Sequence, residues 1–300
     1  MTRLSAFKML AACAATAAGG ALAHVTLPPG GATAGSDYEA AFRVGHPCKD
    51  AKSTTGITVR LPQGFTLEDA QARKGWTLDV QKTGESQVRW TADSAASALP
   101  TGEKAEFILR GKLTTTPGPL YFKVLQACEN GNADWAQLPT DGADAKGGSK
   151  SEFPAARLDV LAPGVAPVDV KDAWIRPAVP GQSGTGAFMK LSAPSGARLV
   201  GVSTPAAGIA EVHEMKMEGD TMRMRPVQGG LALPARQTVE LKPSGYHVML
   251  MDLKQAMPKG TAVPLTLRFE DARGVQTQLD VNVTVGAPDA AAAPSHNHMH

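Results

Sequence analysis

From Tyr38 onward, hydrophobic residues recur at every second position in short runs, broken by Gly, Pro, Asp and Asn. Tyr38, Ala40, Phe42 and Val44 form one run, and Ile57, Val59 and Leu61 form the next. Trp76, Leu78 and Val80 follow, then Phe107 with Leu109, then Leu120, Phe122 and Val124. A period of two sends alternate side chains to opposite faces, so each run predicts a half-buried strand. Residues 67–74 are the best place for a helix, and there for one or two turns only. Short strands at this spacing predict an antiparallel sandwich or barrel.

The same grammar restarts after Leu161-Ala-Pro-Gly-Val-Ala-Pro167. Strands are expected at 186–192, 198–203, 211–217, 221–227, 239–241, 246–253, 263–269 and 275–285. The predicted organisation is a leader at 1–23, an all-β unit at 24–162, a linker at 163–167 and a second all-β unit at 168–286. A polar Gly/Asp/Lys/Ser stretch at 140–150 reads as an exposed loop of the first unit. Residues 287–300 form an Ala/Pro-rich tail that ends in His296, His298 and His300, and its composition predicts disorder. Those alternating histidines could capture Cu(II) or zinc weakly, or simply be solvated.

Residues 1–23 carry the marks of a secretory signal. Arg3 and Lys8 precede an Ala-rich apolar stretch, and Ala21-Leu22-Ala23 gives the small-x-small pattern before a cleavage point. Cleavage there makes His24 the mature amino terminus and places the protein in the periplasm. Leu10-Ala-Ala-Cys13 also resembles a lipoprotein box, but Lys8 leaves too short an uncharged core before Cys13 for that reading to be preferred.

Charge changes the picture mainly by exclusion. The chain has 30 Lys and Arg against 28 Asp and Glu, and removing Arg3 and Lys8 makes it formally neutral. Nothing in that balance favours nucleic acid or an acidic membrane surface. No uncharged apolar run reaches the ~18 residues of a membrane span. Without Cys13, an even pair remains, Cys48 and Cys128, which in an exported chain predicts a disulfide. The rival reading is a metal-binding thiol beside His46.

Seven of the 11 methionines fall between Met215 and Met257. By strand parity His213, Met215 and Met217 share a face, as do Met222 and Met224, and as do His247, Met249 and Met251. Val248 and Leu250 point the other way and can supply the core, so burial does not require the His/Met face. Thioethers with imidazole suit Cu(I), whereas magnesium or calcium would need oxygen ligands that these faces do not offer. Ordinary gap-filling by Met is the bland alternative.

This cluster resembles the periplasmic copper chaperones of the PCuAC type. Their pattern is a His, ten residues, a Met, then just over twenty residues and His-x-Met. Here it is met by His213, Met224 and His247-Val248-Met249, with 22 residues between Met224 and His247. The resemblance spans about 168–285. It implies a cupredoxin-like sandwich that holds Cu(I) through His213, Met224, His247 and Met249. It also implies delivery to a protein recipient such as a cytochrome oxidase copper-site assembly factor. Met215, Met217, Met222 and Met251 would surround the site or pass copper to it.

An amino-terminal His24 could chelate one metal through its α-amine and its ring, a nitrogen pair that favours Cu(II). His24-Val-Thr-Leu-Pro28, Ala34-Gly35-Ser36, Phe42-Arg-Val44-x-His46-x-Cys48, Gly75-Trp76 and Cys128-x-Asn-Gly-x-x-x-Trp135 together resemble the YcnI-like domain family. That resemblance, over about 24–160, implies a second β-sandwich with Cu(II) at His24 and Trp135 beside it. An acidic ligand belongs to part of that family; Asp37 and Glu39 are the nearest candidates in sequence.

The fold expectation is therefore all-β, with two tandem cupredoxin-like or immunoglobulin-like antiparallel sandwiches. The functional expectation is a non-enzymatic copper metallochaperone. One alternative is an oxidative copper enzyme of the monooxygenase kind, which would use His46 with His24. Another is a tandem adhesion module with adventitious metal binding. No catalytic triad order, phosphate loop or paired carboxylates stand out.

Overall fold

The computed structural model describes residues 24–45, 48–139, 152–218 and 221–287. The expected leader with Cys13, His46, the whole polar loop at 140–150 and the tail histidines lie outside those residues. Among the described residues there are 21 strands and no helix. The stretch at 67–74 extends a strand rather than a helical turn, because its first residues pair with a neighbouring strand across a bulge.

Eleven strands form the first half: β1 (Ala32–Thr33), β2 (Asp37–Val44), β3 (Ser53–Arg60), β4 (Phe65–Ala70), β5 (Trp76–Gln81), β6 (Gln87–Ala92), β7 (Leu99–Pro100), β8 (Ala105–Leu113), β9 (Gly118–Cys128), β10 (Asn132–Trp135) and β11 (Ala156–Leu161). One sheet runs β1-β11-β9-β3-β6-β5, with β10 on β9 and β7 on β3; a second runs β2-β8-β4. Phe42 and Phe107 from the small sheet meet Ile57, Trp90 and Phe122 from the large one in a single core. Two inner faces burying one core make a sandwich. Cys48 and Cys128 form a disulfide that closes an 80-residue separation beside that core.

Ten strands form the rest: β12 (Asp169–Ile175), β13 (Gly184–Ser192), β14 (Ala197–Ser203), β15 (Ala207–Glu218), β16 (Thr221–Pro226), β17 (Leu231–Leu233), β18 (Thr238–Leu241), β19 (His247–Leu253), β20 (Ala262–Glu270) and β21 (Gln276–Val285). They run β16-β15-β19-β13-β12-β21-β20-β14-β17, with β18 on β13. β14, near one end of that order, also lies against β15 near the other, so the sheet wraps a second core. Met189, Leu191, Val248, Leu250, Leu267 and Phe269 fill it.

The pairing is not wholly antiparallel as expected. β1 joins β11 in parallel, and β12 joins β21 in parallel. In each half the first strand thus meets the last, a closure no hairpin can make because a parallel pair needs a long crossover. Between the halves, Arg236 reaches the carboxylates of Glu39 and Glu106.

Candidate metal centre

Strands β15, β16 and β19 carry their methionines and histidines on the face away from the core, whereas Met189 of β13 lies in the core. On β19, Val248 and Leu250 are 0% exposed and sit in the core, while His247, Met249 and Met251 alternate with them. β15 pairs with β19 so that His213 stands directly opposite His247, their ring centroids 6.0 Å apart. On its other side β15 pairs with β16, which sets Met215 opposite Met224 and Met217 opposite Met222. Register therefore gathers residues that lie 34 positions apart in sequence. Both imidazoles are nearly buried, His213 at 8% and His247 at 7% exposure.

Their hydrogen bonds decide which nitrogens are free. His247 Nδ1 lies 3.0 Å from the Gly245 carbonyl oxygen, which can only accept, so a neutral ring carries its proton on Nδ1. Nε2 then presents a lone pair, and it faces the Met224 sulfur at 3.2 Å. In that tautomer the contact sets two electron-pair donors face to face, an arrangement that a bridging Lewis acid would satisfy. Nitrogen and sulfur ligands at about 2.0 and 2.3 Å from one metal lie roughly 3–3.7 Å apart, so the observed spacing suits a shared ion.

His213 shows the same logic with the nitrogens exchanged. Its Nε2 lies 3.2 Å from a Glu211 carboxylate oxygen, again acceptor only, so the proton belongs on Nε2. That leaves the Nδ1 lone pair, which is buried and has no hydrogen-bond partner. A carboxylate or carbonyl fixing the far nitrogen of a ligating imidazole is a recurrent way to orient it. Among the described residues no three His, Cys, Asp or Glu side chains come together. The further side-chain donors on this face are the thioethers of β15, β16 and β19.

Met249 shares the face one step along from His247, opposite Glu211 on β15 and Gly186 on β13. Gly184 and Gly186 leave room there: a Cβ on Gly184 would stand 3.1 Å from the Met249 methyl, and one on Gly186 would stand 2.9 Å from the Phe188 ring. Phe188 stacks between Trp174 at 4.4 Å and His247 at 6.4 Å, with the Arg176 guanidinium 5.4 Å over its ring. This aromatic wall excludes water from one side of His247. The sequence reading missed Glu211, Phe188, Trp174 and the two glycines. Alternating glycines inside a strand were the available signal, since they mark close approach of another group.

In the first half, the His24 ring meets the Trp135 indole edge-on, centroids 5.8 Å apart. Trp135 offers no ligand atom, because an indole N–H can only donate and here it donates to Gln126 Oε1 at 3.0 Å. Gln126 is itself buried and donates to Thr54 Oγ1 at 2.7 Å, so the indole is held rigidly beside His24. The acidic candidates are elsewhere. Thr26 bridges Arg43 near the end of β2, whereas Glu39 lies four residues back along that strand, roughly 13 Å away at strand rise. Its carboxylate is already engaged by Arg110 and Arg236. Asp37 lies farther still.

Residues 168–283 match the family model described as "Putative lipoprotein LpqE-like". Residues 24–160 match the one described as "Domain of unknown function (DUF1775)", which agrees with the YcnI-like resemblance over the same stretch. The LpqE-like match covers the whole His/Met face. A protein of Leifsonia xyli subsp. xyli, "Putative lipoprotein Lxx21020", is 33% identical over 104 residues, covering 35% of this chain. The chain spans 63% of that relative's length.

Solved structures similar to parts of the chain include an uncharacterized Nocardia farcinica protein with an immunoglobulin-like fold. It is 28% identical, with 46% of this chain and 98% of that one covered, at a TM-score of 0.39. The solution structure of CuI-DR1885 from Deinococcus radiodurans is 32% identical, with 42% and 82% covered, at 0.32. The copper-bound PCuAC domain from PmoF2 is 25% identical, with 41% and 96% covered, at 0.33. At scores of this size the all-β assignment rests on the sheets of the molecule itself.

Proposed function

We propose that this protein is an extracytoplasmic, non-enzymatic copper carrier. Cu(I) is its cargo, held by His213 Nδ1, His247 Nε2, Met224 and Met249 for handover to a protein recipient. The observation that carries this reading is the pair of buried imidazoles, one with Nε2 3.2 Å from a thioether sulfur and the other with Nδ1 facing no partner. Two neutral imidazoles and two thioethers form a soft set without net charge, which suits a monovalent soft ion over a divalent hard one. Thioethers bind weakly enough one at a time to be displaced in turn, as handover requires. The His-x10-Met-x22-His-x-Met spacing supports the same assignment.

His24, once freed by cleavage, would add its α-amine to its ring and hold Cu(II), with Trp135 as a fixed wall. The signal-like leader and the Cys48–Cys128 disulfide both support a site of action outside the cytoplasm. The test is competition titration of the full chain with Cu(I) and Cu(II), each against a chelator of known affinity. Met224→Leu with Met249→Leu should abolish tight Cu(I) binding and leave Cu(II) binding alone. Wild-type Cu(I) affinity in that variant would overturn the reading.

A further inference from the structure

Met215, Met217, Met222 and Met251 stand outside the proposed Cu(I) ligand set, and two of them form a pair of their own. Met217 and Met222 face one another across β15 and β16, and are 57% and 43% exposed. Core packing does not account for side chains so open to water. Parity places them on the face that carries His213, Met215 and Met224. They form the outer rung of a ladder whose next rung is Met215 opposite Met224, also on that face. Met224 in turn reaches His247 Nε2. Successive rungs on one face are two residues apart, about 7 Å at strand rise. Directly opposed side chains have Cβ atoms about 4.5–5.5 Å apart, close enough for two flexible thioethers to converge on one ion.

We propose that Met217 and Met222 form a second, outer Cu(I)-binding position, through which the ion enters and leaves the inner site. The proposal rests on the inner site binding Cu(I). Two neutral sulfurs hold Cu(I) less tightly than two imidazoles with two thioethers, so the outer position fills second. Movement inward is ligand exchange. A bond from copper to Met224 or Met215 forms as one to Met217 or Met222 breaks, and the copper remains Cu(I) without electron or proton transfer. Thioethers have no proton to lose, so the outer rung remains competent in acid. Met224, 48% exposed, is placed to serve both positions.

The test is methionine-methyl NMR of the full chain, titrated with Cu(I) under anaerobic conditions. The first equivalent should move the Met224 and Met249 methyl signals, and the second should move those of Met217 and Met222. Met217→Leu with Met222→Leu should keep the first response, with tight affinity unchanged within about threefold, and lose the second. That retained first response also shows that the variant is folded. If Met217 and Met222 stay unmoved through the second equivalent, or the Leu pair still takes it up, the outer position is refuted and the exposed sulfurs serve some other contact. If the first equivalent bypasses Met224 and Met249, it is the inner site that fails.

Discussion

Leu250→Ala and Met249→Leu alter adjacent residues of β19, and they should fail in opposite ways. Leu250 is 0% exposed and packs in the second core, so its truncation removes buried methyl groups and leaves a cavity. Such changes cost about 2–5 kcal/mol. For a unit of this size a loss near 3 kcal/mol lowers the melting temperature by roughly 10–15 °C. Against a typical domain stability of about 5–15 kcal/mol, the variant stays folded at room temperature. Its His/Met face is untouched, so Cu(I) affinity should hold. Met249 is half-buried on the opposite face, and leucine conserves its volume. The swap should cost less than about 1.5 kcal/mol. Removing this proposed ligand should nevertheless weaken Cu(I) by at least about 100-fold, the upper end of what changes outside the ligand set cost. Calorimetry and Cu(I) competition on the same preparations read both quantities. If Met249→Leu loses as much stability as Leu250→Ala while keeping Cu(I) affinity, the methionine face is packing and the copper reading fails.

Two further predictions concern the first half. Gln126→Leu removes the carbonyl that accepts from Trp135 and the amide that donates to Thr54, at about 1–3 kcal/mol for each buried group left without a partner. Thermal unfolding should shift down and Trp135 emission should change as the indole loosens; an unchanged melting temperature would show that the relay contributes nothing. Tyr38 is buried with no hydrogen-bond partner for its hydroxyl, and burial pushes its ionisation well above the ordinary value of 10.0. The folded state holds the phenolic proton longer than the unfolded chain does. Its contribution is therefore complete below pH 10 and drains away as pH rises beyond it. Tyr38→Phe should flatten that alkaline loss in chemical unfolding measured from pH 9 upward, and an unchanged slope would refute the assignment.

What the sequence determined by itself was parity. The period of two along a strand is a local property of the backbone, so the alternation of Val248 and Leu250 with His247, Met249 and Met251 was legible from the chain alone. So was the shared face of His213, Met215 and Met217. The even pair of cysteines and the all-β grammar on both sides of Pro167 needed nothing more. Tertiary structure decided register, because which residue faces which across two strands depends on loops and packing far away in sequence. Only register sets His213 opposite His247 and brings Met224 to its free nitrogen. Only the fold supplies Glu211 and the Gly245 carbonyl as acceptors that fix where each imidazole keeps its proton. The closures of β1 on β11 and β12 on β21 were equally invisible, since parallel pairing joins the two ends of a unit. Trp135 makes the point from the other side. It lies beside His24, and its one polar atom is held by Gln126, a partner nine residues away that no local pattern announces.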